Sequence, residues 1–479
     1  MRQSSGKKRE KRAREAVRTA KGPKFTIAVR LLEKTHPREV SLYPMGYGYA
    51  QPNVHNETGT IHFRAPTSIK GSSAARDSVL RRVFKAFQYR DFRLMFTGAC
   101  LSAIGTWMQL FAQGWLIWKL SGSAQLLALD PILQAIPIFL FSLVGGVLAD
   151  RFERRHMLIF SQCIQMTVAT ILTVLVGFHV VKVWHFLTGS FIVGFAQAFG
   201  GPAYSALIPT LVPKEDMPNA IALNSIQFNA AVAVGPAFGG LAMAKLGPTW
   251  CFGLNALSFL APVITLLMLN TRFLPEKTGG SVMSSLKEGI GFVRSQSAME
   301  GLIILAFCMA ALGVPMRTFL PVFADKVFHR GASIAAWFLS CSGAGSVVGA
   351  LAVAGLGNVR NKGRWALLML MSLGIGVSAF ALSPAVWFSC VALFFSGASM
   401  MGVFAMVNSL VQLIVTNQMR GRVMSVYNLS FRSGMPMGNL IAGVLVKHYS
   451  APPVLAVNGA LLVFLGMYYF LVQRRVAAL

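Results

Sequence analysis

Arg432 stands ten residues beyond Arg422 in an otherwise largely apolar stretch. On a helix rising 1.5 Å per residue that is about 15 Å, close to the middle of a bilayer about 30 Å thick. A guanidinium at that depth requires water, a partner or a ligand. Its planar fork suits a carboxylate, catecholate or phosphate. Arginine stays protonated under ordinary conditions, so it can hold an anion but cannot itself shuttle a proton. A structural ion pair without ligand contact is the alternative. Polar residues recur nearby at helical spacing. Ser425, Asn428, Arg432 and Asn439 form one stripe, Ser102, Thr106, Gln109 and Gln113 another, and Asn408 lies one turn from Gln412. Each set points one way and can line a common cavity. Hydrogen bonds that merely hold a helix bundle together are the plainer alternative. Gln109, Gln113, Asn408, Gln412, Asn428 and Arg432 are the candidate substrate-contacting residues.

Two more charges interrupt apolar runs. Asp130 precedes Asp150 by about 30 Å of helix, so the two lie near opposite membrane surfaces. Arg317 lies a similar distance along its own span. Asp130 and Arg317 thus lie at similar depth and are the candidates for an ion pair that gates the outer end. No carboxylate falls plainly at the midplane, so the sequence leaves the carrier of a coupling proton unassigned. Cys100, Cys163, Cys251, Cys308, Cys341 and Cys390 all sit in apolar runs, without a C-x-x-C pair or a nearby His cluster. They read as small buried hydrophobes, and no metal site is expected. Gly343-x-Gly345-x-x-x-Gly349 lacks the lysine of a nucleotide loop and reads as helix packing. No cofactor is expected, and no nucleophile–base constellation argues for an enzyme.

Helices buried in lipid must position these groups. The chain is 54% hydrophobic and 13% charged, against about 25% charged in soluble proteins. Its apolar runs recur at roughly 20 residues, the length that crosses a bilayer, and twelve are expected. The net charge of +28 is uneven, with 21 of the 44 Lys and Arg in residues 1–93. Residues 1–78 read as a disordered basic cytoplasmic tail, for which membrane lipid rather than nucleic acid is the simpler partner. Residues 79–87 alternate apolar and basic, as in a helix lying on the inner leaflet. Residues 271–298, with a second amphipathic helix, link a first half, 79–270, to a second, 299–479. Beyond the tail, loops on the Asp150 side hold 15 Lys and Arg and the opposite loops six. That asymmetry places both termini in the cytoplasm.

Gly146-Val147-Leu148-Ala149-Asp150-Arg151-Phe152-Glu153-Arg154-Arg155 resembles motif A of the major facilitator superfamily, with Glu153 in place of the motif's second glycine. Gly235-Pro236-x-x-Gly239-Gly240 resembles motif C of its antiporter branch, with Ala231 at the leading glycine. Gly105-Thr106-Trp107-Met108-Gln109, Leu120-Ser121-Gly122-Ser123 and Val212-Pro213-Lys214-Glu215-Asp216 are similar to the exporter branch that contains enterobactin exporters and macrolide-efflux relatives. The resemblance implies an all-α membrane protein of twelve transmembrane helices in two pseudo-symmetric six-helix halves. It implies a secondary active transporter of a bacterial inner (cytoplasmic) membrane, exporting a small siderophore- or drug-like molecule by alternating access, with a proton as the expected coupling ion. Gly146, Asp150, Arg151, Arg154 and Arg155 would form its conformational switch, bracing the second and eleventh helices. An uptake transporter of the same fold, or a non-transporting sensor or scaffold, remains the alternative.

Overall fold

A computed structural model describes residues 84–149, 152–269, 282–356, 361–416 and 419–479. The tail expected at 1–78 lies outside the described residues, as do Asp150 and Arg151. Helices dominate and no strand occurs among the described residues. In lipid a spanning segment must satisfy its own backbone groups, which a helix does. The first six spans are α1 (Arg90–Ser121), α2 (Ala124–Ala149), α3 (Arg154–Gly177), α4 (Val183–Leu207), α5 (Met217–Lys245) and α6 (Pro248–Leu267). The second six are α7 (Ser297–Val327), α8 (Ala332–Leu356), α9 (Lys362–Ala381), α10 (Val386–Ile414), α11 (Arg420–Tyr449) and α12 (Ala451–Leu471). Eleven of these are long and apolar enough to cross a membrane. The exception is α11, which has the length, 30 residues, but carries Ser425, Asn428 and Arg432. It is accommodated between neighbours, packing on α2, α7, α10, α12 and the linker helix Val282–Ser295.

The packing repeats with a shift of six helices. α2–α4 recurs as α8–α10, α1–α5 as α7–α11, and α3–α6 as α9–α12. Across the divide, α2 lies on α11 and α5 on α8, the two crossings related by the same shift. α7 is not continuous. Its helix runs to Gly313 and restarts in short pieces at Pro315 and Leu320, because Pro315 and Pro321 each lack the N–H that would continue the ladder.

The turn before α1 departs from expectation. Of the anticipated surface helix, the described part is one 3₁₀ turn, Lys85–Gln88, and it docks on protein. Ala86 is fully buried and donates its N–H to Asn219 Oδ1 at 2.9 Å. Lys85 pairs with Asp216 at 2.7 Å, and Tyr89 donates its hydroxyl to the same carboxylate at 2.7 Å. Those two donors hold the Asp216 carboxyl below its usual range, and Asp216 in turn raises the Lys85 ammonium. At the start of the second half, Glu288 of the linker helix pairs with Arg422, and Gly289 lets the two backbones touch at the Arg422 carbonyl.

Candidate functional site

α11 shows how the halves are parted. Ser425, Asn428 and Arg432 on its polar stripe are exposed, whereas Asn439 farther along the same stripe is only 2% exposed. The opening therefore lies toward the end that carries Arg154, Arg155, Arg420 and Arg422. The glycines agree. Among the described residues nothing comes within 4 Å of a side-chain carbon built on Gly146 of α2, Gly355 of α8 or Gly421 of α11. At the opposite end, a carbon on Gly443 of α11 would lie 2.6 Å from Ala128 Cβ of α2, and one on Gly240 of α5 would collide with Ala336 of α8. One end of the bundle is sealed by direct helix contact, and among the described residues the arginine-rich end stands open.

Arg432 makes no hydrogen bond or ion pair with any described residue. Nearer the arginine-rich end, Asn408 and Gln412 bond each other at 2.5 Å and line a recess of about 350 Å³ together with Ser409 and Arg420. The walls of this recess come from the second half alone.

The first-half stripe takes another role. Gln109 and Gln113 do not line a space shared by the halves; they are buried inside the first. Gln109 Oε1 accepts from Asn255 of α6 at 2.7 Å. Gln113 Nε2 donates to Asp130 Oδ1 of α2 and to Ser190 Oγ of α4, both at 2.8 Å. Buried amides must find partners, and the nearest are on neighbouring first-half helices. They enclose a cavity of about 30 Å³ whose walls come from the first half alone.

The Asp130–Arg317 gate does not form. Asp130 is bound to Gln113 and Ser190. Arg317 donates from Nε to Ser342 Oγ at 3.0 Å and from Nη2 to Ser346 Oγ at 2.7 Å, both on α8. Each charge is satisfied within its own half. The link across the sealed end is instead Asp325 of α7, which accepts from Lys119 at 2.5 Å and from Trp118 Nε1 at 3.0 Å, both on α1. Sequence reasoning missed this latch, although Lys119 and Asp325 are opposite charges in the last turns of two spans ending on one face.

The motif residues divide similarly. Arg154 donates to the Ala206 carbonyl at 3.1 Å, and Arg155 to the carbonyls of Leu267 at 2.6 Å and Leu269 at 3.3 Å. Both guanidiniums thus cap carbonyls left unpaired at the ends of α4 and α6. Close packing at the tip of α2 is made by Gly145, against the Ala198 carbonyl of α4, and not by Gly146. On α5, a side-chain carbon on Gly235 would lie 2.6 Å from Trp107 Cβ and one on Gly239 3.0 Å from the Phe111 ring, both on α1, while Gly240 meets α8; Pro236 lies within the helix.

A family model described as transmembrane secretion effector matches residues 82–477. The enterobactin exporter EntS of Shigella boydii serotype 4 is 25% identical over 400 residues, covering 80% of this chain and 91% of that protein. The staphyloferrin A transporter of Staphylococcus aureus is 20% identical over 389 residues, covering 80% and 96%. Among solved structures, a bacterial homologue of the human lysosomal transporter Spinster, inward-facing and unoccupied, superposes with a TM-score of 0.64 at 14% identity, covering 83% of this chain and 98% of that one. A nucleoside transporter gives a TM-score of 0.64 at 13% identity, covering 80% and 99%. A shared bundle of paired six-helix halves, a motif-bearing second helix and a match over most of the length lead to one conclusion: the chain belongs to the transmembrane secretion effector family of major facilitator transporters, multi-pass membrane proteins and not enzymes.

Proposed function

We propose that this protein exports a small organic anion of the siderophore kind across a bacterial cytoplasmic membrane, by alternating access coupled to an inward flow of protons. The single observation that carries the reading is Arg432, a permanent cation deep in α11, exposed and without a partner among the described residues. Charge at that depth without a counter-ion is costly, and an anionic ligand relieves the cost. Relatives named for enterobactin and staphyloferrin A, both siderophores, support the same class. The positive-inside asymmetry supports a cytoplasmic arginine-rich face and cytoplasmic termini. In this reading the halves 79–270 and 299–479 rock about Arg432, joined by the linker 271–298. Asn428, Asn408 and Gln412 line the route to the cytoplasm. Gly146, Asp150, Arg151, Arg154 and Arg155 brace the tips of α2 and α11 when that route closes.

The test is accumulation of a labelled tris-catecholate and a labelled hydroxycarboxylate in everted vesicles. Arg432→Ala should cut transport about ten- to a hundredfold, the scale of a lost charge-assisted hydrogen bond. Arg432→Lys should keep part of it, since charge survives while the fork is lost. Full transport per folded molecule in Arg432→Ala would sink the anion reading, and accumulation only in right-side-out vesicles would reverse the direction.

A further inference from the structure

Of the six cysteines only Cys251 is fully buried; the other five are half-buried. Two of those five face each other: Cys341 of α8 and Cys390 of α10 bring their thiols within hydrogen-bond reach. The register of the two helices explains the meeting. α8 and α10 pack on each other. A side-chain carbon on Gly345 would lie 3.0 Å from Phe394 Cα, and one on Gly349 2.8 Å from Ala398 Cα. With one more bond of about 1.5 Å, the facing Cα atoms are at most about 4.5 Å apart. Both pairs are 49 positions apart in the chain, and so is the pair Cys341 and Cys390, one turn earlier on each helix. Disulfides join residues whose Cα atoms are about 4.4–6.8 Å apart, and helices packed this closely present such pairs one turn on.

The pair sits at the edge of the lipid-facing surface, near the sealed end, where Ala336 of α8 meets Gly240. One turn before Cys341 is Trp337, 61% exposed, and seven residues after it is Val348, also exposed. Those spacings put all three on one side of α8. On α10, Trp387, three residues before Cys390, is 71% exposed, and Val391 beside Cys390 is exposed too. Tryptophans gather at the level of the lipid headgroups. The thiols therefore lie about one turn, roughly 5 Å, inside that level.

We infer that Cys341 and Cys390 form a redox-modifiable dithiol, which a lipid-soluble quinone converts to a disulfide that staples α8 to α10. Two S–H bonds break and one S–S bond forms. The two electrons and two protons pass to the quinone, which leaves as the hydroquinone. The lipid-facing position selects this oxidant. A quinone dissolves in the same leaflet, whereas a charged aqueous disulfide such as oxidised glutathione is kept out of hydrocarbon. The protein product is neutral, so no charge is left at that depth. A soft metal ion is the poorer fit. Two thiolates around one monovalent ion would carry a net negative charge in lipid, and no group of three metal-ligating side chains occurs among the described residues. Both helices belong to the second half, so the staple stiffens that half and does not tie it to the first. Cross-linking restricts the unfolded chain, so the oxidised protein is the more stable form.

The experiment uses the full chain in liposomes under argon, with decylubiquinone as oxidant and oxidised glutathione, present on both sides, as the aqueous control. The quinone should remove two of the six free thiols, counted with a maleimide after denaturation. Peptide mass spectrometry should find one linkage, Cys341 to Cys390, and the midpoint of thermal unfolding should rise by several degrees. Cys341→Ala and Cys390→Ala should each lose no thiol to the quinone and show no rise. Glutathione should leave all the thiols free. Thiols that survive the quinone in wild type overturn the proposal. So does linkage of any other pair, oxidation by glutathione as fast as by quinone, a bond that brings no rise in the midpoint, or loss of two thiols in either alanine variant.

Discussion

The two ends of the bundle are built from the same small residues and differ in what faces them. At the latch end Gly240 and Gly443 meet alanines of the opposite half, and Asp325 ties α7 to α1. At the arginine-rich end Gly146, Gly355 and Gly421 face open space among the described residues. Glycine allows helices to approach but supplies little attraction of its own. Contact at one end and separation at the other are therefore a single rigid-body choice, and the unfilled glycines mark where the opposite choice would close.

The largest effect should come from filling these positions in turn. Gly443→Leu would drive a side chain into Ala128, and overpacking costs about 1–3 kcal/mol. At about 1.4 kcal/mol per tenfold, the sealed population falls roughly ten- to a hundredfold. A cysteine replacing Ala336, in a background freed of native cysteines, should then react faster with an impermeant maleimide added on the latch side. Gly146→Leu should do the reverse, costing nothing in the observed state and blocking closure of the arginine-rich end, so the same cysteine reacts more slowly. Transport is lost in both. Equal labelling in the two variants would break the comparison.

A smaller effect is expected from the latch. Lys119 and Asp325 side chains are 46% and 22% exposed, so the pair contributes about 1 kcal/mol or less and weakens with salt. Asp325→Asn should speed labelling up to about fivefold. The exchange Lys119→Asp with Asp325→Lys should restore it, and failure to restore would assign the effect to Trp118 alone.

The smallest effect concerns the docked turn before α1. Asp216 is depressed by Lys85 and Tyr89, so its contribution is present above the ordinary carboxylate range and lost as pH falls through its own lower value. Lys85 is raised, so its share is present below the ordinary lysine range and is lost only as pH rises through a higher one. After correction for intrinsic exchange, hydrogen-exchange protection of the Ala86 amide should be flat from about pH 5 to 9 and decline in stronger acid. Asp216→Asn should reduce it throughout while transport barely changes. Strong acid sensitivity persisting in Asp216→Asn would point to another group.

Much of this arrangement was legible in the residues. Apolar run lengths announced the spans, and the distance from Arg422 put Arg432 deep, where the structure leaves it exposed. The α1 stripe and the expected gate were read less well. A stripe of Ser102, Thr106, Gln109 and Gln113 says that one face of a helix is polar; it does not say which helix lies there. The partners proved to be Asn255, 146 residues from Gln109, and Ser190, 77 residues from Gln113. Asp130 and Arg317 were matched by depth, yet each points into its own half. Depth in the membrane accumulates along the chain at 1.5 Å per residue, and charge and hydropathy mark where each span enters and leaves. Local sequence therefore determined how deep each polar group sits. Rotation about the helix axis and choice of neighbour depend on side chains far away in the chain, so only tertiary packing decided that Gln113 meets Asp130, that Lys119 meets Asp325, and which end of the molecule stands open.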